Sequence, residues 1–198
     1  KTPLGNFAVD EDITIAGSAV LVMGTRTATI TGDWTSYGQA GLNEGTSTVN
    51  FDSTGAQSIN TTGGENFYIL RKSSTGTLTL NSNVNIVAGG NLNMQSGIID
   101  ANTNTFGGTA TSAFNMSGGT IRLAKLNTTL PEFLVTPYNL TAGTIELDGA
   151  GTQTLRGTRD YRNLTFSNSG TKGISSTINN ITGTVTVANS VILDVLNN

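Results

Sequence analysis

The side chains able to do chemistry in this chain are few, and acids are the largest group among them. No histidine and no cysteine occurs. A Ser-His-Asp or Cys-His nucleophile, an imidazole metal site and a thiolate zinc site are therefore ruled out, as are disulfides. What remains for catalysis is carboxylates with Lys, Arg or Tyr. Asp10, Glu11 and Asp12 form one acidic run, while Glu132, Glu146, Asp148 and Asp160 stand apart. Glu146 and Asp148 are two residues apart, so on a strand they point to one face. Two carboxyls about 5 to 9 Å apart are what glycosidic cleavage needs; two solvated outer positions give the same spacing. The Asp10–Asp12 run offers oxygen ligands of the kind calcium takes. It lacks the Gly-Gly-x-Gly-x-Asp repeat of calcium-loaded β-rolls, and a solvated loop accounts for it. The expectation is a non-enzyme with no catalytic, cofactor-binding or metal-binding residues and no cofactor.

Three further groups could bind rather than react. Arg156, Arg159 and Arg162 with Tyr161 make a small basic patch that could hold an acidic glycan or blunt an exposed corner. Trp34 and Tyr37 could stack on a sugar ring or pack in the core. Thr25, Thr27, Thr29 and Thr31 share one face, as do Thr77 with Thr79 and Thr184 with Thr186. Regular outward Thr arrays on a flat solenoid are how several antifreeze proteins order water, although strand-face threonines are common without that role.

The elements that must carry these residues are strands. The 198 residues include 34 Thr, 22 Asn and 25 Gly, with 12% charged and 36% hydrophobic residues. Thr favours strands, and Gly and Asn favour turns. Short alternating runs such as Thr77 to Leu80, Val84 to Val87 and Thr120 to Leu123 recur between Gly- and Asn-rich corners, and Asp33, Trp34 and Gly38 read as one such corner. No window keeps the i, i+3, i+4 spacing of a helix. A net charge of −3 argues against nucleic acid, and no apolar run approaches the roughly 20 residues of a membrane-spanning helix, so no membrane insertion is expected.

The chain also repeats itself. FNMSGGTIRL at Phe114 to Leu123 returns as YNLTAGTIEL at Tyr138 to Leu147, an offset of 138 − 114 = 24. GTSTVNFDSTGAQSI from Gly45 returns as GTIELDGAGTQTL from Gly143, with Gln57 and Gln153 offset by 96, four times 24. In an antiparallel sandwich, positions 24 apart have no reason to look alike. In a coil they stack one turn above another. The sequence therefore predicts an all-β, right-handed parallel β-helix (solenoid) of about eight coils of about 24 residues, one segment over 1–198. Ala124 to Pro137 breaks the rhythm, with two of the three prolines and no glycine, and is expected to be a loop excursion. Expected inward residues are Val49, Phe51, Ile59, Leu70, Leu78, Leu80, Leu92, Met94, Ile121, Leu123, Leu140, Ile145, Leu147, Leu155, Leu164, Phe166, Val185 and Val187.

Ile30 to Ile59, with Gly-Asp-Trp, Gly-Thr-x-Thr-Val-x-Phe and Gly-x-Gln-x-Ile phrases, resembles the repetitive β-helical surface proteins and adhesins of Bacteroidetes-type bacteria. Phe67 to Asp100 and Gly143 to Asp194 share that resemblance. It implies export, by the type 9 secretion route, to the extracellular bacterial cell surface, and a role as stalk, spacer or filament. Asp52-Ser53-Thr54 is similar to the short O-glycosylation site of those bacteria. The resemblance lacks a C-terminal sorting domain, and the repeat is already running at Lys1, so an interior piece of a longer protein is expected. The expected partners are neighbouring domains or copies of the same parent chain stacked at the solenoid ends, and surface glycans. Glycan binding or cleavage, and ice binding through the Thr arrays, are the alternative functions.

Overall fold

A computed structural model describes residues 1–37, 41–174 and 180–195. Among them there is no helix, and hence none long and apolar enough to cross a membrane. Every strand pairing is parallel, which removes the antiparallel sandwich. The chain winds as a parallel β-solenoid of about nine turns. At roughly 4.8 Å per rung that is a stack on the order of 40 Å.

Three walls enclose the core. The first carries Phe7–Val9, Thr27–Ile30 and Thr48–Phe51, then the second half of Glu65–Lys72 and of Val84–Met94. The second carries Ile13–Ile15, Trp34–Ser36, Gln57–Thr61, Thr77–Leu80 and Ile98–Asp100, and continues through the later half of Ala113–Leu123. The third includes Phe106–Gly108, Glu132–Phe133, Gln153–Leu155 and Gly170–Ile174. Corners between walls use glycine where the backbone must turn left-handed. Gly97 and Gly119 both have φ of 72°, and a Cβ on either would strike the carbonyl of the glycine one turn below.

The turn is shorter than the repeated phrases imply. Ala28 stands over Phe7 and Val49 over Ala28, steps of 21 residues. The 24-residue step holds between the repeated pair itself, where Thr120 meets Thr144 and Ile121 meets Ile145. Hence there are about nine turns rather than eight. The 96-residue echo is also not four turns. Gln57 stacks in one column with Leu78, Ile99, Ile121 and Ile145, four turns on, while Gln153 lies one wall further along. A strand-corner-strand phrase fits any corner of the coil, so it can recur out of phase with the turn.

Fifteen of the expected inward residues are buried; Leu140 is half-buried, and Val185 and Val187 are exposed in the last described turn. Alternation did not mark several others. Trp34 is fully buried on a strand rather than at a corner, its indole N–H donating to Glu65 Oε2 at 3.0 Å; Gly38 lies outside the described residues. Glu65 is itself buried, which raises its pKa against the hydrogen bonds from Ser36 and Trp34.

The two glutamines of the repeated phrase do the same work at two corners. Gln57 Nε2 donates to Ile30 O (3.0 Å) and Gly32 O (2.9 Å) of the turn below, while its Oε1 accepts from Ser53 N. Gln153 Nε2 donates to Leu123 O (2.7 Å) and Lys125 O (3.0 Å), and its Oε1 accepts from Gly149 N. A buried lysine then closes each corner from the turn above. Lys72 donates to Ser53 O and Ser74 O. Lys172 donates to Gly149 O, Gly151 O and Gln153 Oε1. Each side chain spends its donors mainly on corner carbonyls, some of which, such as Ile30 O and Leu123 O, also accept a backbone N–H from the turn above.

Candidate functional site

The segment 124–137, expected to leave the stack, keeps two short strands in the third wall. Thr129–Leu130 pairs with Thr154 and Leu155, and Glu132–Phe133 pairs with Gly107 and Gly108. The wall therefore forks at Pro131, one strand following each neighbour. Leu130 and Phe133 are buried on the inner side of the fork. On the outer side it leaves an open groove of about 520 Å³, bounded by Asn85, Thr105, Thr109, Thr128, Leu134 and Arg156. Gly107 and Gly108 contribute no side chains to its lining, and a Cβ at Gly107 would sit 2.7 Å from Glu132 O.

The fork is held by side chains from the next turn. Arg156 donates from Nε to Pro131 O (2.7 Å) and from a terminal nitrogen to Thr129 O (3.3 Å). Arg159 donates to Leu134 O (2.8 Å) and lies over the Tyr138 ring at 5.1 Å from its centroid. Tyr138 donates to Phe133 O (2.8 Å), and Tyr161 to Arg156 O (2.8 Å). An aromatic row of Phe106, Phe133, Phe114, Tyr138 and Tyr161 backs the fork from inside, with centroid spacings of 4.6 to 5.9 Å. Burial pushes the Tyr138 hydroxyl up to about 12, so it stays a donor. The basic patch expected from Arg156, Arg159, Arg162 and Tyr161 is thus divided: Arg159 and Tyr161 are buried in the clamp, Arg162 bonds Thr182, and Arg156 alone faces the groove. Lys125 bridges the groove's rim to the stack, donating to Glu132 Oε1 (2.7 Å) and Thr105 Oγ1 (2.6 Å).

Glu146 and Asp148 do come together, but around a cation. Arg122 lies 3.2 Å from Glu146, 3.7 Å from Asp148 and 3.4 Å from Asp100. Glu146 also accepts from Ser167 Oγ at 2.6 Å. Burial, then the negative charges of Asp100 and Glu146, push the Asp148 carboxyl up to about 6 against the pull of Arg122. An acid of that pKa could give up a proton near neutrality. Both carboxylates, however, serve the ion cluster, and neither lines the groove.

The remaining expectations fall at the surface. Asp10, Glu11 and Asp12 are on an exposed or half-exposed loop where Asp12 accepts from Asp33 N. No group of three potential metal ligands exists among the described residues. Asp160 is exposed, and Tyr37 is exposed at 58%. On the second wall, Thr79 is followed outward by Asp100, Arg122, Glu146, Thr165 and Thr186. On the first, Thr29 is followed by Asn50, Arg71, Asn93, Asn115 and Asn139. Both Thr columns are interrupted by charge or amide. Asn139 donates to Asn115 within this column (2.9 Å), and Asn115 reaches across to Asn91 of the adjacent column one turn below (2.7 Å).

No known family, curated protein or solved structure matches the chain. The geometry therefore stands alone.

Proposed function

We propose that this chain is a non-enzymatic structural and adhesive segment of a large exported cell-surface protein or filament, acting as stalk or spacer. The observation that carries this reading is the state of its two ends. At one, Phe7, Val9, Ile13, Ile15 and Leu21 line an apolar concavity of about 460 Å³. At the other, Val185, Val187 and Val195 are 40 to 58% exposed. Leu164 and Phe166, in register with Val185 and Val187 one turn before, are buried. Among the described residues no strand pairs the outer edges of Phe7–Val9 and Val191–Val195; such edges are templates for further strands, and the reading assigns them to neighbouring domains or other copies of the parent chain. The outward polar side chains support the same reading, since the Arg122 cluster and the Asn ladder bond turn to turn. Export by the type 9 route and an extracellular location belong to the proposal through the sequence resemblance.

Sedimentation velocity over a hundredfold range of concentration tests the ends. The 1–198 chain is expected to associate head to tail into open, elongated species, and Val185→Lys with Val187→Lys should leave a monomer. A monomer for the unsubstituted 1–198 chain at every concentration would overturn this use of the ends.

A further inference from the structure

We propose that the groove beside the 124–137 fork binds a short stretch of acidic polysaccharide, a chain of uronate sugars. This goes beyond the stalk reading and does not depend on it.

Three observations lead there. First, the groove is the right size: about 520 Å³ falls within the range of small-ligand sites, roughly 300 to 1,000 Å³. Second, its lining suits a sugar. Thr105, Thr109, Thr128 and Thr129 bring hydroxyls and Asn85 an amide, while Leu134, 52% exposed, offers an apolar surface to the C–H face of a pyranose ring. Third, the charged residues of its lining are Glu132 and Arg156, and with Lys125 beside Glu132 the local balance is one positive charge in a chain whose net charge is −3. Lys125 neutralises Glu132 through a 2.7 Å ion pair. Arg156 is bonded to the carbonyls of Pro131 and Thr129 and makes no ion pair among the described residues. A guanidinium positioned by neutral carbonyls keeps its charge for a ligand, and a carboxylate is the group it pairs with best.

The fork is also built in advance. Arg156, Arg159 and Tyr138 fix its backbone through four hydrogen bonds to carbonyls of residues 129–134, so little ordering is left for a ligand to induce. Nucleic acid is disfavoured because one unpaired guanidinium neutralises at most one phosphate and releases few counterions. With no aromatic residue in the lining, affinity rests on hydroxyl hydrogen bonds and one charge, and a Kd of roughly millimolar is expected.

Titration of the ¹⁵N-labelled chain with trigalacturonate, followed by amide chemical shifts, tests the proposal, with maltotriose as the neutral probe. Trigalacturonate should shift amides of residues 105–109 and 128–134, and binding should weaken at least about fivefold between about 20 and about 200 mM salt. Maltotriose should bind at least about tenfold more weakly. Thr109→Trp, and independently Thr128→Tyr, should fill the groove and abolish the shifts. Thr186→Tyr on the second wall should leave them. If one filling variant fails to fold, the other carries the test. Equal binding of both sugars without salt dependence would overturn the acidic class. Shifts that survive both filling variants, or no shifts at several millimolar, would overturn the site.

Discussion

Asp148 holds a carboxyl whose pKa rises from 3.8 to about 6 on folding. Between those two values the folded chain binds the proton more tightly than the unfolded chain. The contribution of Asp148 to stability is therefore fully present below about 4 and is lost as pH rises through about 6. Replacing Asp148 by Asn should flatten this slope and stabilise the protein at pH 7 by about 1 kcal/mol, after allowance for solvent screening at a partly exposed group. Urea melts of both proteins at pH 4.5 and pH 7 measure it; equal slopes would show that Arg122 already cancels the burial. Lys172 is a contrasting case. Its ammonium is buried on three oxygens, so Lys172→Met takes their shared donor from Gly149 O and Gly151 O and leaves Gln153 Oε1 with Gly149 N alone. A loss of about 2 to 3 kcal/mol is expected, with Asp148→Asn unable to restore it. A thermal melt unchanged by Lys172→Met would show that the corner does not need its cation.

At the scale of the element, the fork is the part of the wall that depends on its neighbour. Arg159→Ala removes the bond to Leu134 O and the contact with Tyr138. The expected result is faster amide exchange and new protease cleavage within 124–137, with the turns before residue 101 keeping their protection. Uniform loosening of all turns would contradict a local clamp. The strands themselves were legible in the sequence, because alternation marks Leu78, Leu80, Ile121 and Leu123 as inward whatever the turn length. The turn length was not, because Gln57 and Gln153 suit corners on different walls. Buried charges escaped for another reason: alternation sets Glu65 with Phe67, Lys72 with Leu70 and Arg159 with Tyr161 on the inward face, but a charge argues for solvent, and only stacking shows the carbonyl and hydroxyl partners that let these side chains stay inside. The recurring Gly-x-Gln phrase was the one available signal of a polar corner. The groove was hidden because Asn85, Thr105 and Thr128 meet across turns, although the proline-flanked, glycine-free stretch did mark where the wall changes.

For the whole molecule, a stack in which each turn touches only its neighbours has a stability that is close to a sum of turn and interface terms. It can be lengthened without redesign, which suits a spacer. The two ends then decide how it is used, and the groove offers a place on its flank where it could hold a polysaccharide. The most direct measurement of the stalk reading is made on the cells that produce the chain. Intact cells are treated with protease, and the native polypeptide is followed with an antibody raised against residues 101–174. The account predicts a species far above 20.5 kDa that is shaved from the outside while cytoplasmic markers survive. A species protected until the cells are lysed would contradict it.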